Sequence, residues 1–264
     1  MNLSQIHPNA TLGNNVTVDA FTTIAAQVEI GEGTWIGPNV TIMDYVKIGK
    51  NCRIFPGAVI GAIPQDLKFQ GEITHVEIGD NTMIRECATV NRGTAHSGKG
   101  TTRIGNDCLI MAYVHVAHDC HIHNNVILVS FVGLAGEVEV DDFAIIGGSS
   151  AAHQYTRVGQ HAMLSGGSVF GKDVPPYILA GHRPLSFGGI NIIGLRRRGF
   201  SNEKIQEISN IYKIIYGSKF NTTDACHKIE ETFPPTPERD QILAFIRSTK
   251  RGIIKRAVLS LDEE

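Results

Sequence analysis

Ile104–Val140 reads IGNDCLIMAYVHVAHDCHIHNNVILVSFVGLAGEVEV, and every sixth residue of it is aliphatic: Ile104, Ile110, Val116, Ile122, Leu128, Leu134 and Val140. The position two before each stop is small or β-branched: Cys108, Val114, Cys120, Val126, Val132 and Val138. Side chains alternate along an extended chain, so two inward residues separated by one outward residue make a short strand. Repeated every six residues, this pattern predicts short flat strands joined by tight corners and stacked as a parallel β-helix. With three strands per coil, a coil takes about 18 residues, and coils stack about 4.8 Å apart.

The same step extends in both directions. It runs from Ile6 through Leu12, Val18, Ile24 and every sixth residue to Ile60, resumes at Ile78, Ile84 and Val90, and continues past Val140 to Phe170. Glycine often follows a stop, as at Gly13, Gly31, Gly37 and Gly49. Two stretches fit no hexad: 61–77, GAIPQDLKFQGEITHVE, and 91–103, NRGTAHSGKGTTR. Both are expected to bulge from the prism as loops, and loops on a rigid scaffold commonly carry function. The repeat stops at DVPPY (Asp173–Tyr177), which sets a β-helix over 1–174 and a connecting segment with a small α-helical domain over 175–264. There, Ile205, Ile208, Tyr212 and Ile215 have helical spacing with Ser201 as N-cap. TTDACHKIEETF and TPERDQILAFIRS predict two more helices, and Thr236-Pro237 is an N-cap and first-turn pair.

Composition excludes several classes. The 264 residues carry a net charge of −2, which gives no reason to expect a nucleic-acid or anionic-membrane partner. No apolar run approaches the roughly 20 residues that span a bilayer, so no stable membrane insertion is expected. The opening MNLSQIHPNATLG has neither the basic nor the apolar region of a signal peptide, and a cytoplasmic location is expected. Five cysteines without CxxC spacing argue against a disulfide framework and a zinc ribbon. Cys52, Cys108 and Cys120 occupy inward slots and read as packing residues.

The register sorts the four histidines of YVHVAHDCHIHNN (Tyr113–Asn125). His115 is outward between Val114 and Val116, and His121 is outward between Cys120 and Ile122, on the adjacent face. His118 and His123 fall at successive corners. All four cannot converge within one chain, so no metal site is expected, and His121 and His123 read as surface residues. One coil beyond His118 comes Gly136, and two coils beyond comes Gln154, while Asp119 stacks with Glu137.

Further motifs carry a resemblance. QDLKFQGE (Gln65–Glu72), HVAHDC (His115–Cys120), VDDFAIIGG (Val140–Gly148), HQ (His153–Gln154), DVPPY and LRRRGFS (Leu195–Ser201) follow one another in this order. Together they closely resemble the UDP-N-acetylglucosamine O-acyltransferase family of lipid A synthesis, over nearly the whole chain. The resemblance implies a left-handed parallel β-helix, a homotrimer with clefts between subunits, and no cofactor. It also implies transfer of a (3R)-hydroxyacyl group from acyl carrier protein to the 3-hydroxyl of UDP-N-acetylglucosamine.

Residue by residue, the resemblance makes His118 the general base, Asp119 its acid partner and Gly136 the glycine whose amide faces the oxyanion. Imidazole, with a pKa of about 6.5, suits proton removal from a sugar hydroxyl at neutral pH. Asp66, Lys68, His115, Gln154 and Asn191 match substrate contacts. Arg197 and Arg198 match positions for the nucleotide phosphates, which guanidinium binds bidentately. Gly166 matches the position that measures acyl length; with Ser165 and Gly167 beside it, a relatively long chain is expected. The chain departs from the family at Glu137 and Asn91, where histidines are usual, and at Ile193, where a polar residue is. Those departures leave open a 3-amino acceptor or a different donor. A zinc hydratase is a remote alternative, prompted by the spacing of His118 and His123.

Overall fold

The computed structural model describes residues 3–217 and 220–256. Hexads become two-residue strands, each hydrogen-bonded in parallel to the strand about one coil away: Gln5 lies beside Thr23, Thr23 beside Thr41, and Thr41 beside Val59. Three faces result. The first runs from Gln5–Ile6 to Val169–Phe170, the second from Thr11–Leu12 to Arg157–Val158, and the third starts at Thr17–Val18. Together they form a left-handed parallel β-helix.

The six-residue step is the core. Every stop from Ile24 to Phe170 is at most 5 % exposed, and burying each such side chain contributes roughly 1.5–3 kcal/mol. Cys52, Cys108 and Cys120 are buried between them. The corners require left-handed backbone, which Asn and Asp tolerate better than most residues. Asn15, Asn51, Asn81, Asp107 and Asn125, all with φ of 53–58°, accordingly form one corner ladder between the second and third faces.

Two boundaries differ from the sequence reading. The insertions are shorter than 61–77 and 91–103, because strands Val59–Ala62, His75–Ile78, Thr89–Asn91 and Thr101–Ile104 extend the ladders into them. The β-helix also continues past residue 174. Val158 bridges to Val174, and Leu164 pairs with Ala180 in a further parallel strand, Ile178–Gly181. This coil step is two residues short of 18, so a strict six-residue count loses it at Phe170.

Beyond it, Ser186–Ile190 returns antiparallel on the third face. Four helices follow: α1 (Ile192–Arg197), α2 (Asn202–Gly217), α3 (Thr222–Thr232) and α4 (Pro237–Arg247). Thr236 caps α4 by accepting from the Arg239 N–H, and the Ser201 hydroxyl accepts from the Lys204 N–H at the start of α2. The Tyr212 hydroxyl of α2 donates to Pro176 O, and Arg157 reaches Phe245 O of α4, which fixes the helices on the end of the prism. No helix among the described residues is long and apolar enough to cross a membrane.

Candidate active site

Both loops leave the prism at the same edge, between the first and second faces, as the strands that bracket them show. His118 lies on that edge, one coil beyond the 92–100 loop, so the loop takes the place of the corner that would otherwise stack on it. The loops also hold one another. Glu72 accepts from the Ala95 N–H at 3.0 Å, Lys68 Nζ lies 3.1 Å from His96 Nε2, and Asn91 Nδ2 donates to Ile63 O at 2.9 Å. Asn91 is therefore a buried anchor of the first loop.

Beneath them, His118 Nδ1 stands 2.9 Å from Asp119 Oδ2. Thr94 fixes that carboxylate from the other side, donating its N–H at 3.0 Å and its hydroxyl at 2.7 Å. Burial works to raise the Asp119 carboxyl, but the bonds from His118 and Thr94 outweigh it and hold it below the usual range. An ionised Asp119 accepts only, so the His118 proton sits on Nδ1 and the Nε2 lone pair is available. The bond to Asp119 raises His118 above an ordinary imidazole despite its burial, with Asp66 and Glu137 adding to the effect. Asp66 Oδ2 faces His118 Nε2 at 3.7 Å, beyond hydrogen-bond reach.

Gly136 stacks on His118 as the coil arithmetic predicts, with the Glu137 N–H donating to His118 O at 3.0 Å. A Cβ at 136 would stand 2.4 Å from ring atoms Cε1 and Nε2, so only glycine leaves room for the imidazole. Among the described residues the Gly136 N–H has no acceptor. Glu137 pairs with Lys99 at 3.7 Å. Gln154 is exposed on the same edge. His115, outward on the first face, has Nδ1 2.7 Å from Thr89 Oγ1, and burial lowers its pKa.

The remaining candidates lie on other edges of the chain. Asn191 caps α1 by accepting from the Gly194 N–H and donates to His161 O. Arg197 is exposed on α1. Arg198 donates to Phe143 O at the edge between the second and third faces, with its guanidinium 5.2 Å from the Phe143 ring centre. Phe143, His161 and Tyr177 stack there in succession, and burial pushes His161 down to about 4, a neutral imidazole. Gly166 lies on the third edge, where an added Cβ would meet Gly148 O at 3.1 Å. One chain therefore brings Asp66, His118, Asp119, Gly136 and Gln154 to one edge and leaves Asn191, Arg197, Arg198 and Gly166 elsewhere.

Sequence reading missed Thr94, whose two bonds orient Asp119. Subtracting one coil from His118 lands inside the inserted loop, and that arithmetic was the available signal. It also separated His121 from His123, whereas their rings stack 4.0 Å apart. Residues on either side of an inward one project to the same side. His118 is outside that group, with its Nδ1 engaged by Asp119.

The comparisons agree with this architecture. The model for UDP-N-acetylglucosamine O-acyltransferase, domain 2, matches residues 173–254, and the bacterial transferase hexapeptide model matches 27–62 and 101–136. The UDP-N-acetylglucosamine acyltransferase of Bacteroides fragilis is 52% identical, over 96% of this chain and 98% of that one, with a TM-score of 0.94. That of Francisella novicida is 37% identical over 100% and 99%, also at 0.94. The Acinetobacter baumannii structure is 36% identical over 97% and 99%, at 0.93. With identity at that level along its whole length, the chain belongs to the UDP-N-acetylglucosamine O-acyltransferase family.

Proposed function

We propose that the chain transfers a (3R)-hydroxyacyl group from acyl carrier protein to the 3-hydroxyl of UDP-N-acetylglucosamine, the first step of lipid A synthesis. The observation that carries this reading is the His118–Asp119 pair set against the open amide of Gly136. His118 Nε2 takes the proton of the sugar hydroxyl, whose oxygen attacks the thioester carbonyl. Negative charge then develops on the carbonyl oxygen, which the Gly136 N–H is placed to meet. Collapse expels the carrier-protein thiolate, and the proton on His118 Nε2 passes to its sulfur. Asp119 keeps the imidazole in the required tautomer and stabilises its cation.

Asp66 and Lys68 overhang this edge, so they suit the sugar and the acyl chain as it enters. Leu67 between them is fully exposed, an apolar tip for a lipid substrate or its carrier. Asn191, Arg197 and Arg198 are too far round the prism to join His118 in one chain. A homotrimer that sets one subunit's His118 edge against the next subunit's α1 would complete the nucleotide site, and Gly166 would end the acyl groove by the same packing. We place the reaction in the cytoplasm, where carrier-protein thioesters and nucleotide sugars meet, and assign it no cofactor.

The test is mass spectrometry of products from a mixture of acyl-carrier-protein thioesters and UDP-sugars. A 3-O-hydroxyacyl UDP-N-acetylglucosamine is expected. Transfer from acyl-CoA alone, or exclusively to a 3-amino sugar, overturns the assignment of donor or acceptor.

A further inference from the structure

The second face carries a cluster that the acyl transfer does not use. His121 and His123 flank inward Ile122 and project outward together, with rings 4.0 Å apart and 26° from parallel. One coil on, Glu139 lies directly opposite His121 in the parallel register. Asp141, two residues further, takes the matching place beside His123. His123 Nε2 is 3.4 Å from Glu139 Oε1 and 3.8 Å from Asp141 Oδ1. One ligand atom from each of His121, His123 and Glu139 lies within 4.8 Å of the other two. All four side chains are half-buried, so a bound ion would be partly shielded from solvent.

The donor set selects the ion. Two imidazoles and a carboxylate suit zinc and its first-row neighbours, whereas magnesium and calcium take oxygen ligands. Bonds of about 2.0–2.1 Å in a tetrahedron separate the ligand atoms by about 3.3 Å. His123 and Glu139 already stand near that separation, at 3.4 Å, and the His121 ligand atom lies within 4.8 Å of both. The flanking cations are engaged elsewhere, Arg103 with Glu77 at 3.0 Å and Arg157 with Asp173 at 3.2 Å. Among the described residues, Glu139 has no ion-pair partner other than His123.

We propose that His121, His123 and Glu139, with Asp141 as fourth ligand, bind a zinc-class divalent cation that ties two successive coils of the second face. The site is separate from His118, whose Nδ1 is committed to Asp119, and it does not depend on the acyltransferase reading. The full chain, stripped with EDTA, is titrated with cobalt(II) and with zinc. One equivalent per chain is expected, with the intense visible bands of four-coordinate cobalt and a higher Tm. His123→Gln and Glu139→Gln should each weaken binding by at least about 10-fold and abolish the Tm rise. His118→Ala should bind the ion as the parent does. The Tm of each variant without metal verifies folding, and if one fails to fold the other supplies the comparison, with Asp141→Asn in reserve. No binding by the parent chain overturns the proposal. So does binding that His123→Gln and Glu139→Gln leave unchanged, or that His118→Ala removes.

Discussion

The His118 ring occupies the space that a Cβ on residue 136 would fill, 2.4 Å from its Cε1 and Nε2 atoms. The imidazole thus packs on the side of Gly136 where any other residue would carry its side chain. Gly136→Ala should push the ring aside and cut kcat by at least about 100-fold, the usual result of misplacing a reacting group by an ångström. The Tm should hardly move, because the ring lies on the edge of the prism and not in its core. Steady-state kinetics beside a melting curve checks both, and a normal kcat would remove Gly136 from the site.

Asp119 sets the pH dependence. Its hydrogen bond raises His118 above an ordinary imidazole, and only neutral His118 can accept a proton. The kcat/KM profile should therefore fall as pH drops through a value above about 6.5. In Asp119→Asn the largest raising influence, the bond to a carboxylate, is lost, and burial lowers the pKa against Asp66 and Glu137 alone. The acidic limb should move to lower pH, while the plateau drops by about 10³-fold or more. An unmoved limb would mean that another group titrates.

Thr94 acts through Asp119. Thr94→Val removes the 2.7 Å hydroxyl bond but keeps the N–H bond. The loss of one hydrogen bond to a buried charge should lower stability by about 1.5–3 kcal/mol. The acidic limb should shift less than in Asp119→Asn. Denaturant melts and the pH profile separate the two effects.

The separation of edges gives a test of assembly. His118→Ala and Arg198→Ala should each be severely impaired. Trimers assembled from an equal mixture should recover about a quarter of parent activity if each site takes His118 from one subunit and Arg198 from the next. No recovery would place both residues in one subunit's site.

At Gly166 the backbone is not left-handed and Gly148 O is the nearest obstacle, at 3.1 Å. Gly166→Met should fold and shift acyl preference to shorter chains, read from competition between thioesters of different length. Unchanged selectivity would move the length-measuring position elsewhere.

The prism was legible because its rule is local: Ile24, Ile30 and Ile36 announce a strand wherever six residues bring the chain back to the core. The same rule placed Gly136 on His118, since both lie inside an unbroken run. It failed at Val174, where a coil step loses two residues and the periodic signal slips while the geometry continues. It also placed His121 and His123 apart, because a face-or-corner assignment ignores where a long side chain finally points. The contacts of Thr94 could not be read at all, for they depend on how an irregular loop folds back over its own edge.

Glu72 and Lys68 tie the two insertions to each other and Asn91 anchors the first to the prism, while the hexads beneath them run on undisturbed. Changes in loop length or sequence therefore need not alter the packing that keeps the prism straight. Rigidity is written in the hexads, which leaves the two loops free to vary while the prism stays fixed.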